Sequence, residues 1–100
     1  MKKPHECTSL AEVRTAIDAI DRQIISALGQ RFEFVKSAAR FKSGEASVRA
    51  ADRVHAMLRE RRGWAQEHGL DPDVIEKIYR DLVAYFTEAE LRHWQSKPVE

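Results

Sequence analysis

The sequence predicts an all-α fold of three helices in a single domain. Apolar residues recur at helical spacing over most of the chain, and the content of four glycines and three prolines is low for a turn-rich β protein. Turn residues at Ser43-Gly44 and from Gly69 to Pro72 separate the helical stretches. With 43% hydrophobic residues, a chain of 100 residues can bury a modest core. We therefore expect one domain over 1–100, with loose ends at 1–7 and 96–100.

The first predicted helix begins at Ser9 or Leu10 and runs to about Lys42. Ser9 and Glu12 have the spacing of a capping box. The apolar stripe has steps of three or four with one gap of seven, and comprises Leu10, Val13, Ile17, Ile20, Ile24, Leu28, Val35 and Ala38. Such a helix spans roughly 50 Å, whereas a compact 100-residue globule is roughly 33 Å across. We expect a second copy of the chain to cover the overhanging stripe in a homodimer.

A short second helix and a long third helix are predicted to follow. The second runs from about Ala50 to Glu67 with Gly69 as its C-terminal cap, and the third begins at Asp71-Pro72. The inward candidates of the second helix are Val54, Met57, Leu58, Trp64 and Ala65. The third helix carries one stripe of Ile75, Ile78, Leu82, Tyr85 and Ala89, and beside it a second stripe of Tyr79, Val83, Phe86, Glu90 and Trp94.

The composition argues against several classes of protein. With 17 basic and 16 acidic residues, the chain lacks the basic excess of a nucleic-acid binder. Cys7 is the single cysteine and lies outside the predicted helices, so it is not a convincing nucleophile, and the four histidines lack metal-binding spacing. No apolar run approaches membrane-spanning length, and no export signal follows Met1. We expect a cytoplasmic protein with no metal, no cofactor and no membrane or nucleic-acid partner.

Charged residues interrupt the apolar stripes at positions that need a partner. The gap in the first stripe falls at Arg31, and Lys42 lies eleven residues later, only about 20° away around the helix. Glu90 stands in a stripe of the third helix. Two buried cations require an anion, which is either an anionic ligand or an internal carboxylate such as Glu90. Snorkelling of the cations into solvent is a further alternative.

Two other groups of residues are less specific. Arg14 lies at the edge of the first stripe, too far from Arg31 within one subunit, but across an antiparallel dimer interface it could reach the partner's pocket. The run from Arg59 to Arg62 is interpreted as a solvated helix face. Trp64 and Trp94 are interpreted as core or interface residues.

Together these features resemble the all-helical chorismate mutase family, and within it the isochorismate-pyruvate lyases of salicylate and siderophore biosynthesis. The resemblance extends from Pro4 to Trp94 and rests on the order and spacing of several short stretches. These are Cys7-Thr8-x-Leu10, Ala16-Ile17-Asp18-x-Ile20-Asp21, Ala27-Leu28-Gly29, Arg40-Phe41-Lys42, Arg53-Val54, Met57-Leu58-x-Glu60-Arg61 and Gly69-Leu70-Asp71.

The resemblance implies an intertwined dimer with two equivalent sites. Arg31 would hold one substrate carboxylate, and Arg14 of the other chain would hold the second. Lys42 and Glu90 would contact the ether oxygen whose bond breaks, and Arg53 would lie in or beside a mobile segment between the first two helices. The family's reactions are pericyclic, so they need no nucleophile, metal or cofactor. The protein holds the substrate and stabilises charge on the ether oxygen.

Three positions depart from the pattern of many mutases. Val54 replaces a glutamate that contacts the ring hydroxyl of chorismate, and Phe86 replaces a serine; both changes favour the lyase. Glu90 replaces a glutamine and can donate a hydrogen bond only when it is protonated, so we expect activity to increase towards acidic pH.

The resemblance therefore predicts an isochorismate-pyruvate lyase with some chorismate mutase activity. The alternatives are a mutase that makes prephenate with little lyase activity, and a non-catalytic helical dimer that keeps the fold.

Overall fold

The computed structural model describes residues 2–42, 44 and 50–95, with only the backbone of residue 94, and this part of the chain contains helices and no strand. A short 3-10 helix at Pro4–Glu6 precedes α1 (Leu10–Ala39), α2 (Ala51–Glu67) and α3 (Pro72–Gln95). The predicted all-α class with three main helices is confirmed. Most of the segment from 43 to 52, implied to be mobile, and the predicted loose end at 96–100 lie outside the described residues. No described helix is long and apolar enough to cross a bilayer.

The start of α1 is capped much as predicted. The hydroxyl of Ser9 accepts a hydrogen bond from the backbone N–H of Glu12 at 3.1 Å. The Glu12 carboxylate bonds to the N–H of Thr8 at 2.9 Å instead of to that of Ser9. This bond, with help from Lys2 at 3.2 Å, lowers the pKa of Glu12. The residues ahead of α1, expected to be loose, are therefore tied to its first turn.

The end of α1 differs from the prediction. The helix ends at Ala39, three residues before Lys42. The N–H groups of residues 40–42 each bond to the carbonyl three residues back, which is the 3-10 pattern that commonly tightens a last turn. Lys42 therefore lies beyond the regular helix, and the direction predicted for it from helical geometry does not apply.

The link between α2 and α3 follows its predicted turn chemistry. Gly69 has a φ of +71°, and the N–H groups of Gly69 and Leu70 bond back to carbonyls of the last turn of α2 at 3.2 and 2.8 Å. This is the Schellman motif. Asp71 then caps α3 by accepting a bond from the N–H of Asp73 at 2.8 Å, with Pro72 at the first helical position.

Contacts divide the chain into two compact units, Met1–Phe34 and Val35–Glu100. The second unit holds the end of α1 together with α2 and α3, and it contains the buried core. Its buried apolar residues are Ala39, Met57, Leu58, Ala65, Phe86 and Leu91. On α3 the buried residues are Phe86 and Glu90 of the second predicted stripe and Leu91, which belongs to neither stripe, whereas Ile78 and Tyr85 of the first stripe are about half exposed.

The basic run from Arg59 to Arg62 is not simply a solvated face. The side chain of Arg61 is only 16% exposed, and its guanidinium lies 4.4 Å from the ring centre of Trp64 and 5.8 Å from that of Tyr79. These distances are those of cation–π contacts. Arg62 pairs with two carboxylates of α3 at 2.8 and 3.3 Å. Trp64 thus shields an arginine and, at 45% exposure, is not a core residue.

In the single chain the apolar stripe of α1 is exposed from Leu10 to Ile24 and half-buried from Leu28 onward. Leu10 is 60% exposed, and Ile17 and Ile24 are each 50% exposed. Ile25, outside the predicted stripe, is 68% exposed. Apolar exposure on this scale along one helix is typical of an interaction surface.

Candidate active site

The structure brings together the two predicted catalytic residues, Lys42 and Glu90. The Lys42 Nζ lies 3.7 Å from Oε1 of Glu90, an ion pair slightly too long for a direct hydrogen bond. Glu90 is 4% exposed, and the Lys42 side chain is 23% exposed. The tight turn after α1 positions the cation, and the sixth turn of α3 positions the carboxyl. The pair therefore has one buried member and one member still open to solvent.

The surroundings of Glu90 are apolar on its own helix. Phe86, one turn earlier, is 4% exposed and lies tilted against Tyr85 with ring centres 5.3 Å apart, and the adjacent Leu91 is 7% exposed. An ionised carboxyl in such a place is costly without a cation nearby. The structure thus contains the internal ion pair that the sequence left open as an alternative. The pair is compatible with a ligand as well, because an ammonium group carries three donors.

Arg53 lies in the first turn of α2, next to the half-buried Val54. Its side chain is exposed and makes no hydrogen bond or ion pair within residues 2–42, 44 and 50–95. The preceding cap residue, Ala50, has a φ of +39° and offers no side-chain acceptor to the helix. Arg53 is therefore available to a ligand, and its approach to the Lys42–Glu90 pair stays a prediction.

Arg31 and Arg14 belong to the first compact unit. Arg31 is half-buried on α1, as its place in the apolar stripe predicts, and it has interactions of its own. Arg14 is exposed on the same helix. The convergence of Arg31 with Lys42, and the contribution of Arg14 to a second subunit, stay predictions.

A groove between α2 and α3 was not predicted. It has a volume of about 250 Å³, and the residues that line it are Val54, Arg80, Val83, Ala84, Thr87 and Glu88. Of these, Val54 is the position that the sequence resemblance places at the site. Thr87 was missed because a single threonine within a helix gives no signal of pattern or charge.

In the described part of the chain, no three His, Cys, Asp or Glu side chains converge as metal ligands. Cys7 is half-buried with its Sγ 3.9 Å from the carbonyl of Lys3. The groups that converge are a lysine ammonium and a carboxyl. The ammonium can stabilise an oxygen that gains negative charge, and the carboxyl can do so only when it is protonated.

The described part of the chain is thus an all-helical fold whose buried site pairs a lysine ammonium with a carboxyl. The family model for chorismate mutase type II matches residues 13–91. The chain belongs to the chorismate mutase type II family, and the resemblance seen in the sequence is confirmed.

Two relatives show where the chain lies within this family. It is 44% identical over 95 residues to the isochorismate pyruvate lyase of Pseudomonas aeruginosa, an alignment that covers 95% of this chain and 94% of the relative. It is 33% identical over 73 residues to the T-protein of Haemophilus influenzae, and this alignment covers 72% of this chain and 19% of the T-protein.

Proposed function

We propose that this protein converts isochorismate to salicylate and pyruvate, with a weaker chorismate mutase activity that makes prephenate. The observation that carries the proposal is the Lys42–Glu90 pair, with its Nζ–Oε1 distance of 3.7 Å and its nearly inaccessible carboxyl. The similarity to the Pseudomonas isochorismate pyruvate lyase over almost the full length of both chains supports the choice of substrate.

The pair suits the bond that must break. In either reaction the carbon–oxygen bond of the enolpyruvyl ether is cleaved, and the ether oxygen gains negative charge in the transition state. The Lys42 ammonium, with a protonated Glu90 beside it, would donate hydrogen bonds to that oxygen. In the lyase reaction one ring hydrogen moves to the enolpyruvyl methylene group as the bond breaks. The atoms of isochorismate equal those of salicylate plus pyruvate, so the reaction consumes neither water nor an oxidant.

Three arginines would orient the substrate. The guanidinium fork binds carboxylates bidentately, so Arg31 and Arg14 suit the two carboxylates of the substrate. In our proposal Arg14 comes from the other subunit of a homodimer, and Arg53 closes the site from the start of α2. Holding the flexible enolpyruvyl arm over the ring in this way removes much of the entropic part of the barrier.

The homodimer is supported by the exposed apolar stripe of α1, with Leu10, Ile17 and Ile24 at 50 to 60% exposure. On α3, Val74, Ile78 and Tyr85 are 47 to 59% exposed and add a second uncovered apolar surface. The proposed partners are therefore a second copy of the chain and a small dicarboxylate, and we place the protein in the cytoplasm.

Two residues favour lyase over mutase as the main activity. Val54 is half-buried in the α2–α3 groove, where it presents no carboxylate to a chorismate ring hydroxyl. Phe86 is buried and, unlike serine, has no hydroxyl to offer the site. A site with these two apolar residues is less suited to chorismate than one with glutamate and serine.

The test is to incubate the purified protein with isochorismate and with chorismate in parallel, and to follow salicylate and prephenate. Salicylate as the faster product supports the proposal, and prephenate alone would show that the protein is a mutase. The absence of both products would favour a non-catalytic dimer. Lys42→Gln should lower turnover by roughly 100-fold or more, the scale of a lost oxyanion donor. Lys77→Gln, which removes an exposed lysine of α3, should leave turnover unchanged.

A further inference from the structure

The groove between α2 and α3 lies along the same helix as Glu90. Its volume of about 250 Å³ is below the roughly 300–1,000 Å³ of pockets that enclose a whole ligand, so it suits one edge of a small molecule. Val54 forms its α2 wall, and on α3 the apolar Val83 and Ala84 are accompanied by Arg80, Thr87 and Glu88. Thr87 is the uncharged polar residue of this lining.

Thr87 supplies a neutral polar group in this groove. It is half-buried, and its hydroxyl makes no hydrogen bond to any other described residue. A helical threonine commonly bonds to the carbonyl four residues back, as Thr15 does to Ala11 at 3.0 Å. Arg80, a charged residue of the same groove, donates to Glu76 at 3.1 Å. The hydroxyl of Thr87 is thus free to donate and accept a hydrogen bond.

Thr87 and Glu90 are neighbours on α3, as the ring hydroxyl and the ether oxygen are neighbours in isochorismate. Residues three apart on a helix have Cβ atoms roughly 5–6 Å apart on adjoining faces. In isochorismate the ring hydroxyl stands on the carbon next to the one that carries the ether oxygen. If Glu90 contacts that ether oxygen, a group one turn earlier on α3 is placed to reach the neighbouring hydroxyl.

We propose that Thr87 is a specificity-determining residue whose hydroxyl forms a hydrogen bond with the ring hydroxyl of isochorismate, an inference that rests on the proposed function. Removal of one such bond inside a half-buried groove weakens binding without changing the ether-cleaving groups. The effect should therefore fall on substrate binding and on the preference for hydroxylated ligands, and only weakly on the chemical step.

The kinetic test compares Thr87→Val, which removes the hydroxyl at nearly constant shape, with Thr87→Ser, which keeps it. We expect Thr87→Val to raise KM for isochorismate roughly three- to tenfold with kcat within about twofold, and Thr87→Ser to stay near wild type. Thr15→Val makes the same change at an exposed site on α1 and should alter neither constant. Equal KM values for wild type and Thr87→Val would overturn the proposal, as would parallel losses of kcat and melting temperature in both Thr87 variants.

A binding test does not depend on turnover. Salicylate keeps the ring hydroxyl of isochorismate, and benzoate is the same ring acid without it. Calorimetric titration should show that wild type and Thr87→Ser prefer salicylate over benzoate by roughly threefold or more, and that Thr87→Val loses this preference. An equal preference in Thr87→Val would refute the role of the hydroxyl.

Failures of the two proposals are distinguishable. If the wild-type protein makes no salicylate from isochorismate, the proposed function fails and the role of Thr87 fails with it. If wild type makes salicylate and Thr87→Val matches it in KM and in ligand preference, the role of Thr87 alone is refuted.

Discussion

The contact between Lys42 and Glu90 can both stabilise the fold and position two groups of the proposed site. The carboxyl is almost inaccessible, and the ammonium 3.7 Å away offsets the cost of its charge. A ligand oxygen near both groups would accept one hydrogen bond from Lys42 and another from protonated Glu90. These bonds would replace part of the ion pair. The protonation of Glu90 therefore becomes part of catalysis in our proposal.

The first prediction concerns Glu90→Gln. A carboxyl donates a hydrogen bond only when it is protonated, whereas an amide donates at every pH. Wild-type kcat/KM should therefore be higher at pH 5 than at pH 8, and Glu90→Gln should show a flat profile. The measurement is the rate of salicylate formation in buffers of constant ionic strength.

Glu67→Gln, at the exposed end of α2, is the matched control and should keep the wild-type profile. The pKa of Glu12 lies below its ordinary value of 4.5, so the cap of α1 is lost only as the pH falls through that lowered pKa. Loss of this cap therefore does not destabilise the fold between pH 5 and 8. A flat wild-type profile, or a slope that survives in Glu90→Gln, would contradict the role of Glu90.

Single residues were predictable where they broke a pattern. Arg31 and Glu90 stand on apolar stripes, and the structure finds the first half-buried and the second buried. Lys42 was selected correctly for pairing with Glu90 but for a partly wrong reason, because the chain leaves the regular helix before it reaches Lys42. Thr87 could not be found, because the property that distinguishes it is a groove made by two helices.

At the scale of elements, two glycines have equally open surroundings but differ in backbone conformation. Gly69 ends α2 in a left-handed conformation with a φ of +71°, and Gly63 lies inside the same helix. A Cβ added at either position would meet no atom within 4 Å. The effect of alanine at each site is therefore set by backbone conformation alone.

The second prediction is that alanine substitutions at these glycines have opposite signs. Gly69→Ala should reduce the free energy of unfolding by about 1 kcal/mol, because a Cβ disfavours the left-handed region. Gly63→Ala should raise it by about 0.5–1 kcal/mol, because alanine loses less backbone entropy in a helix. Urea unfolding at one fixed protein concentration measures both. A stabilising Gly69→Ala would argue against the Schellman turn.

Helix existence was predictable, whereas helix ends and buried faces were less so. Gly69 and Asp71 were correctly placed because local hydrogen bonds define those caps. The end of α1 was placed three residues late because no glycine or proline marks Ala39. Between two similar stripes on α3, periodicity alone did not reveal that the one containing Phe86 is buried, because that depends on the position of α2.

At the scale of the whole molecule, exposed apolar residues extend along α1 from Leu10 to Ile24 and recur on α3. Sequence periodicity predicted this stripe and, from the length of α1, a second copy to cover it. The 30 residues of α1 correspond to roughly 45 Å, and the second copy stays a prediction. A dimer would also place the exposed Arg14 where a second subunit can use it.

The third prediction tests this shared site by subunit complementation. Arg14→Ala and Arg31→Ala should each abolish most activity as homodimers, because each removes one arginine from both sites. A heterodimer of these two variants, isolated with two different affinity tags, should regain about half of wild-type activity. One of its sites keeps both arginines when Arg14 comes from the other chain, and the other site has neither.

The control is the reciprocal heterodimer, in which a wild-type chain is paired with a chain that carries both substitutions. It should be nearly inactive, because each of its sites lacks one arginine. If both arginines act within one chain, the two results are reversed. The heterodimer of the single variants then stays inactive, and the heterodimer of wild type with the double variant keeps half of the activity. Light scattering that finds only monomers would contradict the dimer itself.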